Sequence, residues 1–304
     1  MAQVLFMGGA ERSATPLPDD MTLGAARLIV ADLQRSLAFY TDVLGFSQAA
    51  GPTANGEAAL TVADDPTPVL WLSELPGARR KPAHSTGLYH VAILTPSRQA
   101  LSRSLYNLAA SRYPLTGASD HLVSEALYLN DPDGNGLEIY RDRPRGEWPH
   151  DGDQLLMDTV ALDLETLLSE GIADVEATPW TGIAAGTKVG HVHLHVAHLA
   201  PAVAFYRDVV GLDLMIQLAG SAAFMSAGGY HHHLGLNTWA GVGAPQPPAD
   251  AVGIRVWDIV LPTQADVEVV AARLQAASVA FEREENGAVV THDPSGNAVR
   301  VRIA

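Results

Sequence analysis

LGAARLIVADLQRSLAFYTDVLGF at residues 23–46 and VGHVHLHVAHLAPAVAFYRDVVGL at residues 189–212 are two versions of one segment, identical at eleven of twenty-four positions. DPDGNGLEI, from Asp131, and DPSGNAVRV, from Asp293, form a second such pair. A duplicated scaffold is its own control. Positions that agree report the fold, and positions that differ report chemistry kept in one copy and lost in the other. His191 stands against Ala25 and Glu138 against Arg300, so these contrasts point to the site.

Working outward from the first copy, residues 24–31 alternate as a strand. Leu33, Leu37, Ala38, Tyr40 and Val43 then follow a helical period, with Asp32 as N-cap and Gly45 as stop. The short β-rich runs ALTVAD and PVLWLSEL follow. The order strand, helix, three strands recurs from GLYHVAILT through the helical SRQALSRSLYNLAASR to GLEIYRD. It recurs again from GHVHLHVA, with a helix at 199–210, through HHHLGLNTW. The last copy runs from IRVWDIVLP, with a helix near 264–277, to AVRVRIA. The pattern predicts an α+β fold of four βαβββ modules in two homologous halves, paired into curved mixed sheets. Residues 1–20 read as a mobile N-terminal segment, 21–143 as the first domain (modules I and II), 144–186 as a connector with its own acidic helix, and 187–304 as the second domain (modules III and IV). The Asp-Pro and Gly-Asn of DPDGN and DPSGN are hairpin chemistry, a structural role that fixes the register of Glu138.

At 304 residues the chain can bury roughly three-quarters of its unfolded surface. With 47% apolar and 17% charged residues, the composition is that of an ordinary globular protein. A net charge of −15 argues against nucleic acid and anionic membranes as partners. The chain has no cysteine, so any metal must sit on histidine and carboxylate. No apolar run reaches the ~18 residues of a membrane span and the start does not read as a signal peptide, so a cytoplasmic protein is expected. Oligomeric state stays open: four modules can satisfy one another within a chain, and free sheet edges also allow a homo-oligomer.

The twice-present LxxxxxFYxDVLGF helix and the DPDGNxxE turn-strand resemble the vicinal oxygen chelate superfamily of glyoxalase I, fosfomycin-resistance enzymes and extradiol ring-cleaving dioxygenases. More narrowly, GLYHVAIL, SEALYLNDPDGNGLEIY, GHVHLHV and GGYHHHLGLNTWAG are similar to the two-halved bacterial catechol-2,3-dioxygenase subgroup. The resemblance implies a metal held by a histidine on the first strand of one module and by a histidine and a glutamate on the first and last strands of its partner. Module II supplies His90 and Glu138, and module III supplies His191. Modules I and IV offer Ala25, Trp257 and Arg300 at the corresponding places, so one metal site and one blank site are expected.

Two neutral imidazoles and one carboxylate on rigid strands form a three-point face suited to Fe(II), with Mn(II) an acceptable second. A strand histidine taken singly is more often structural, and Glu138 has Arg141 nearby to pair with; the set in register carries the reading. His193 and His195 share a face with His191 at period two. By resemblance His232 is the acid-base residue, with the register inside His231–His233 open by one position. His121 and Tyr128 are the groups that hydrogen-bond the substrate hydroxyl and oxygen. Asn237 and Trp239, with His193, His195 and His233, are candidate pocket residues, and loops 50–58 and 240–250 are expected walls. The implied function is extradiol opening of a catechol with O2. Two alternatives are a glyoxalase-like isomerase or transferase, in which Gly235 or His233 stands at the fourth-ligand place and His233 is the candidate ligand, and a non-catalytic aromatic- or drug-binding protein.

Overall fold

The computed structural model describes residues 11–49, 56–218 and 220–304. Each module contributes four strands. Module I has Thr22–Val30, Ser47–Gln48, Glu57–Val62 and Asp65–Glu74; module II has Gly87–Leu94, Gly117–Asp120, Ser124–Asn130 and Gly136–Asp142. Module III has Lys188–His195, Asp213–Leu218, Ala222–Ser226 and Leu234–Asn237; module IV has Gly253–Leu261, Phe281–Arg283, Val289–His292 and Ala298–Ile303. A helix follows the first strand of every module. The strands assemble into two curved, mixed eight-stranded sheets, one from modules II and III and one from modules I and IV. In each sheet the first strands of two modules pair antiparallel at the centre. Each first strand also pairs parallel with its own module's fourth strand. Every sheet therefore takes one module from each half of the sequence.

The repeated helix begins as an α-helix at Leu33–Ala38, where the Asp32 carboxylate accepts the Arg35 N–H at 3.0 Å. Such a cap contributes about 1 kcal/mol. The helix then widens into a π turn over Phe39–Val43, and the second copy does the same over Phe205–Val210. The wide turn lets two consecutive aromatics, Phe39–Tyr40 and Phe205–Tyr206, both enter the core. This departs from the uniform helix that the sequence period predicts.

The two recurring motifs prove to be the two halves of one contact. The Tyr40 hydroxyl donates to Asp131 Oδ2 at 3.2 Å, and the Tyr206 hydroxyl to Asp293 Oδ2 at 3.3 Å. Asp131 Oδ1 also accepts the backbone N–H groups of Asp133 (2.9 Å) and Asn135 (2.8 Å). The Asn135 amide reaches the Ile29 carbonyl at the end of module I's first strand (3.3 Å). Burial pushes the Asp131 carboxyl above its usual range, even with donors from Asn135 holding it down. Each turn thus bolts its module to the preceding one and sets where the last strand starts.

The mobile segment expected at 1–20 lies partly outside the described residues, at 1–10. Residues 11–20 are fastened to module III: Glu11 bridges Leu214, the Ser13 N–H donates to Asp213 Oδ1 at 2.8 Å, and Leu17 is buried. The connector forms its helix at Leu164–Ala177, packed on the module II helix Arg98–Ala110. Among the described residues no helix is long and apolar enough to cross a membrane.

Replacing Asp131 with Ala strands several buried donors at roughly 1–3 kcal/mol each. A total loss of about 3–5 kcal/mol is expected in urea unfolding, against about 1 kcal/mol for Asp32→Ala. Equal losses for the two would mean that the shared turn is not what holds the modules.

Candidate metal centre and catalytic cavity

The seam between Gly87–Leu94 and Lys188–His195 positions the site. Its register breaks twice, once at Gly190 and once at Tyr89, each an extra residue in one strand. Gly190 is required there, since a Cβ would lie 1.9 Å from the Tyr140 hydroxyl. The bulge at Tyr89 puts two consecutive rings, Tyr89 and His90, side by side with centroids 5.0 Å apart. His191 and His90 then face each other across the seam, and Glu138 enters from the parallel strand beside them.

His90 Nε2, His191 Nε2 and Glu138 Oε2 form a buried triangle with sides of 3.2, 3.1 and 3.0 Å. Donor atoms at ~2.1 Å from a shared ion, at right angles to one another, lie about 3 Å apart, so the triangle has the dimensions of one octahedral face. Burial pushes the Glu138 carboxyl up, but His191 and His90 outweigh it and hold it well below the usual carboxylate range. Burial takes His191 down to about 4, against the pull of Glu138. At neutral pH Glu138 is an anion and His191 a neutral imidazole, the states in which each binds a divalent cation. His191 Nδ1 has no hydrogen-bond partner among the described residues. Its ring is oriented by packing between Tyr140 and His232, at 4.8 and 4.1 Å.

Arg141 does not pair with Glu138. Strand alternation turns it to the other face, where its Nε donates to Glu125 at 2.8 Å. The place that Glu138 holds in module II is held by Gly235 in module III, opposite His193. A Cβ on Gly235 would meet the His193 ring at 2.7 Å. A fourth protein ligand is excluded from that strand position by packing. His233 is not a fourth ligand either: its Nδ1 meets Ser226 Oγ at 2.9 Å, and it lines a separate cavity with Asp142, Gly190 and Tyr230. The strand starts only at Leu234, after positive-φ glycines at 228 and 229. Period two therefore fails over His231–His233, and it is His232 that enters the catalytic cavity.

Behind His232 runs a chain the sequence reading missed. His232 Nδ1 meets His231 Nδ1 at 2.8 Å, and His231 Nε2 meets Asp142 Oδ1 at 2.8 Å. The Tyr230 hydroxyl donates to Asp142 Oδ2 at 2.9 Å and lies 2.8 Å from the Tyr140 hydroxyl. A carboxylate only accepts, which puts the His231 proton on Nε2 and leaves its Nδ1 to accept from His232. His232, held neutral by burial, then presents a free Nε2 lone pair. Period two from Glu138 through Tyr140 to Asp142 was the available signal.

His121 and Tyr128 also meet in the cavity. His121 Nδ1 donates to the Asp158 carbonyl at 2.9 Å, which leaves Nε2 to accept the Tyr128 O–H at 2.7 Å. Burial, then Glu138, pushes the Tyr128 hydroxyl far above its usual value, so it stays protonated. The cavity has a volume of about 730 Å³.

Of the expected pocket residues, His193 and Trp239 line the cavity, while His195, His233 and Asn237 do not. Asn237 is fully buried as a clamp, with Oδ1 2.6 Å from His195 Nδ1 and Nδ2 3.0 Å from His193 Nε2. The expected wall at 240–250 does not line the cavity; that at 50–58 falls largely on 50–55, outside the described residues. Met157, Asp158 and Thr159 form a wall instead. The connector is pinned there by paired bonds between Asp120 and Val160, both 2.9 Å.

Among the described residues the sheet of modules I and IV carries no such triangle. Its seam has the same two breaks, which align His90 with Val256 and not with Trp257; Trp257 is a core residue. Ala25 and Val256 offer no donor, and Arg300 together with Arg302 grips the buried Asp258 at 2.7–2.9 Å. An ion-pair cluster has replaced the cation site.

The chain belongs to the glyoxalase/bleomycin resistance protein/dioxygenase superfamily, whose profile matches residues 22–139 and 188–301. Within it, the sequence is 45% identical to the catechol-2,3-dioxygenase of Bacillus subtilis (strain 168) over 285 residues, 93% of this chain and 97% of that protein. A putative dioxygenase from Bacillus subtilis superposes with a TM-score of 0.61 at 14% identity, over 96% of this chain and 86% of that one. Glyoxalase I from Zea mays superposes with a TM-score of 0.54 at 15% identity, over 93% and 92%. The last two likenesses establish the shared fold.

Glu138→Gln removes the only anion of the triangle without changing its volume. Folding should survive, since the substitution takes a buried charge away. Metal affinity should fall by more than about a hundredfold, because loss of a mere supporting residue already costs 10–100-fold. Metal content after dialysis, alongside thermal unfolding, reads both; retained metal would reject the triangle as the ligand set.

Proposed function

We propose that the chain is an extradiol dioxygenase that opens a catechol beside its diol with O2, using Fe(II) held by His90, Glu138 and His191. The observation that carries this reading is a three-donor face whose fourth protein position is closed by Gly235 packing on His193. A single carboxylate leaves a divalent centre with net positive charge, which attracts a catecholate. Bound Fe(II) supplies a template for both diol oxygens and a path for electrons from ring to O2, which closed-shell zinc does not. Mn(II) accepts the same donors.

The chain's own residues do the rest. His232, with its Nδ1 turned to His231, takes the diol proton at Nε2 and returns it as the ring opens. Tyr128, kept protonated by burial, swings its one O–H from His121 to the negative charge that develops on the substrate oxygens. His121, its Nδ1 held by the Asp158 carbonyl, fixes where Tyr128 points. A glyoxalase-like isomerase would need the fourth ligand that position 235 cannot supply. A binding protein would have no use for three converging donors.

Protein reconstituted anaerobically with Fe(II), then given catechol and air, should form a yellow ring-fission product. His232→Ala should keep its iron and lose about 10²–10⁴-fold in kcat. Reconstituted protein that binds iron and catechol but consumes no O2 would refute the assignment.

A further inference from the structure

His193 lines the cavity and yet has no part in ligation or in proton transfer to the diol. Its ring stands perpendicular to that of His90 with centroids 5.0 Å apart, and meets Tyr89 and Trp239 at 5.1 and 5.5 Å. All three neighbours line the same cavity, so it is the His193 ring, and not only its backbone, that stands there. Strand Leu234–Asn237 is shaped to this ring at two places. Gly235 lies against it, where a Cβ would be 2.7 Å from the ring, and the fully buried Asn237 grips its Nε2.

That grip settles which nitrogen carries the proton. The Trp239 backbone N–H can only donate, so the Asn237 atom it meets at 3.0 Å is the carbonyl Oδ1. The other end of the amide is then the NH2, which donates to His193 Nε2 at 3.0 Å. Nε2 accepts, and His193 therefore carries its hydrogen on Nδ1. The register gives the direction. Asn237 lies opposite His195, two residues beyond His193, whereas His191 lies two residues before it. With Nε2 turned toward Asn237, the Nδ1 edge of the ring faces back toward His191. Nδ1 has no partner among the described residues and, unlike Nδ1 of His191, is not sealed from open space.

We infer that His193 is a further catalytic residue, whose Nδ1–H donates a hydrogen bond to O2 as it gains negative charge beside the His90–Glu138–His191 triangle. The inference rests on the ring-opening reading and adds to it a residue for the oxygen half of the reaction. The diol has His232 for its proton and Tyr128 for its charge, so a donor on the His191 side is left for the other reactant. The electrons that O2 gains come from the catechol ring. His193 keeps its proton and acts through the hydrogen bond alone. A donor already fixed in a buried cavity needs no reorganisation as the charge appears, and loss of one such donor lowers a rate about 10²–10³-fold.

NMR of zinc-loaded protein with isotope-labelled histidine reads the tautomer without turnover, since zinc accepts the same donors and is closed-shell. His193, assigned through its backbone so that no variant need fold, is expected as the Nδ1–H form; the Nε2–H form would overturn the inference. In iron-loaded protein His193→Phe should lower kcat/KM for O2 about 10²–10³-fold, while catechol affinity of the zinc-loaded variant, read by tryptophan fluorescence, changes less than about threefold. His193→Asn returns an amide N–H close to the place of Nδ1 and should recover at least about tenfold of that loss, which a ring that only fills space would not predict. An unchanged kcat/KM for O2 in His193→Phe, or a loss confined to catechol affinity, would overturn the inference and leave the ring-opening reading standing. Wild-type protein that binds iron and catechol and consumes no O2 would overturn that reading and the inference with it.

Discussion

The pairing of Gly87–Leu94 with Lys188–His195 is the constraint on which the site depends. Two strands in unbroken antiparallel register would fix their side chains by simple alternation. Here one extra residue in each strand, Gly190 and Tyr89, re-aims the neighbours. The result is His90 and His191 with nitrogens 3.2 Å apart over a carboxylate from the adjoining parallel strand. Neither histidine belongs to the same half of the sequence as the other. The seam is therefore both the joint between halves and the place where chemistry becomes possible.

The second seam shows what the scaffold does without a metal. It repeats the breaks and even the glycine, Gly24 standing where Gly190 stands, with Asp258 and Arg302 atoms within 2.9 Å of a would-be Cβ. Yet Asp258 is buried between Arg300 and Arg302. A buried carboxylate needs compensating donors wherever it lies. In one sheet two imidazoles face a carboxylate, and in the other two guanidinium groups grip one. The scaffold tolerates either answer because the modules are held elsewhere, by the Tyr40–Asp131 and Tyr206–Asp293 contacts.

Around the triangle the polar groups are organised in directions a single hydrogen bond defines. A carbonyl at Asp158 settles the tautomer of His121, and a carboxylate at Asp142 settles that of His231 and, through it, His232. His232 thus has one nitrogen engaged behind and one free in front, the arrangement proton transfer requires. The connector takes part in this order. It supplies the carbonyl and one wall, although its sequence reads as a spacer.

The sequence by itself determined the four modules, the helix caps and turns, and the identity of the three converging donors. Those features are local or repeated, so periodicity and the comparison of copies expose them. Glu138 and His191 were legible because their counterparts in the other copy, Arg300 and Ala25, cannot bind a cation, and His90 was legible through the family resemblance. Only the tertiary structure decided which residue of His231–His233 faces the cavity, that Val256 and not Trp257 answers His90, and that Asn237 and His195 brace the pocket from outside it. It alone brought Met157–Thr159 to the wall and Asp142 behind His232. Bulges and bends shift the alternation of side chains by one residue, and a connector's course depends on long-range packing; neither leaves a period in the chain to be read.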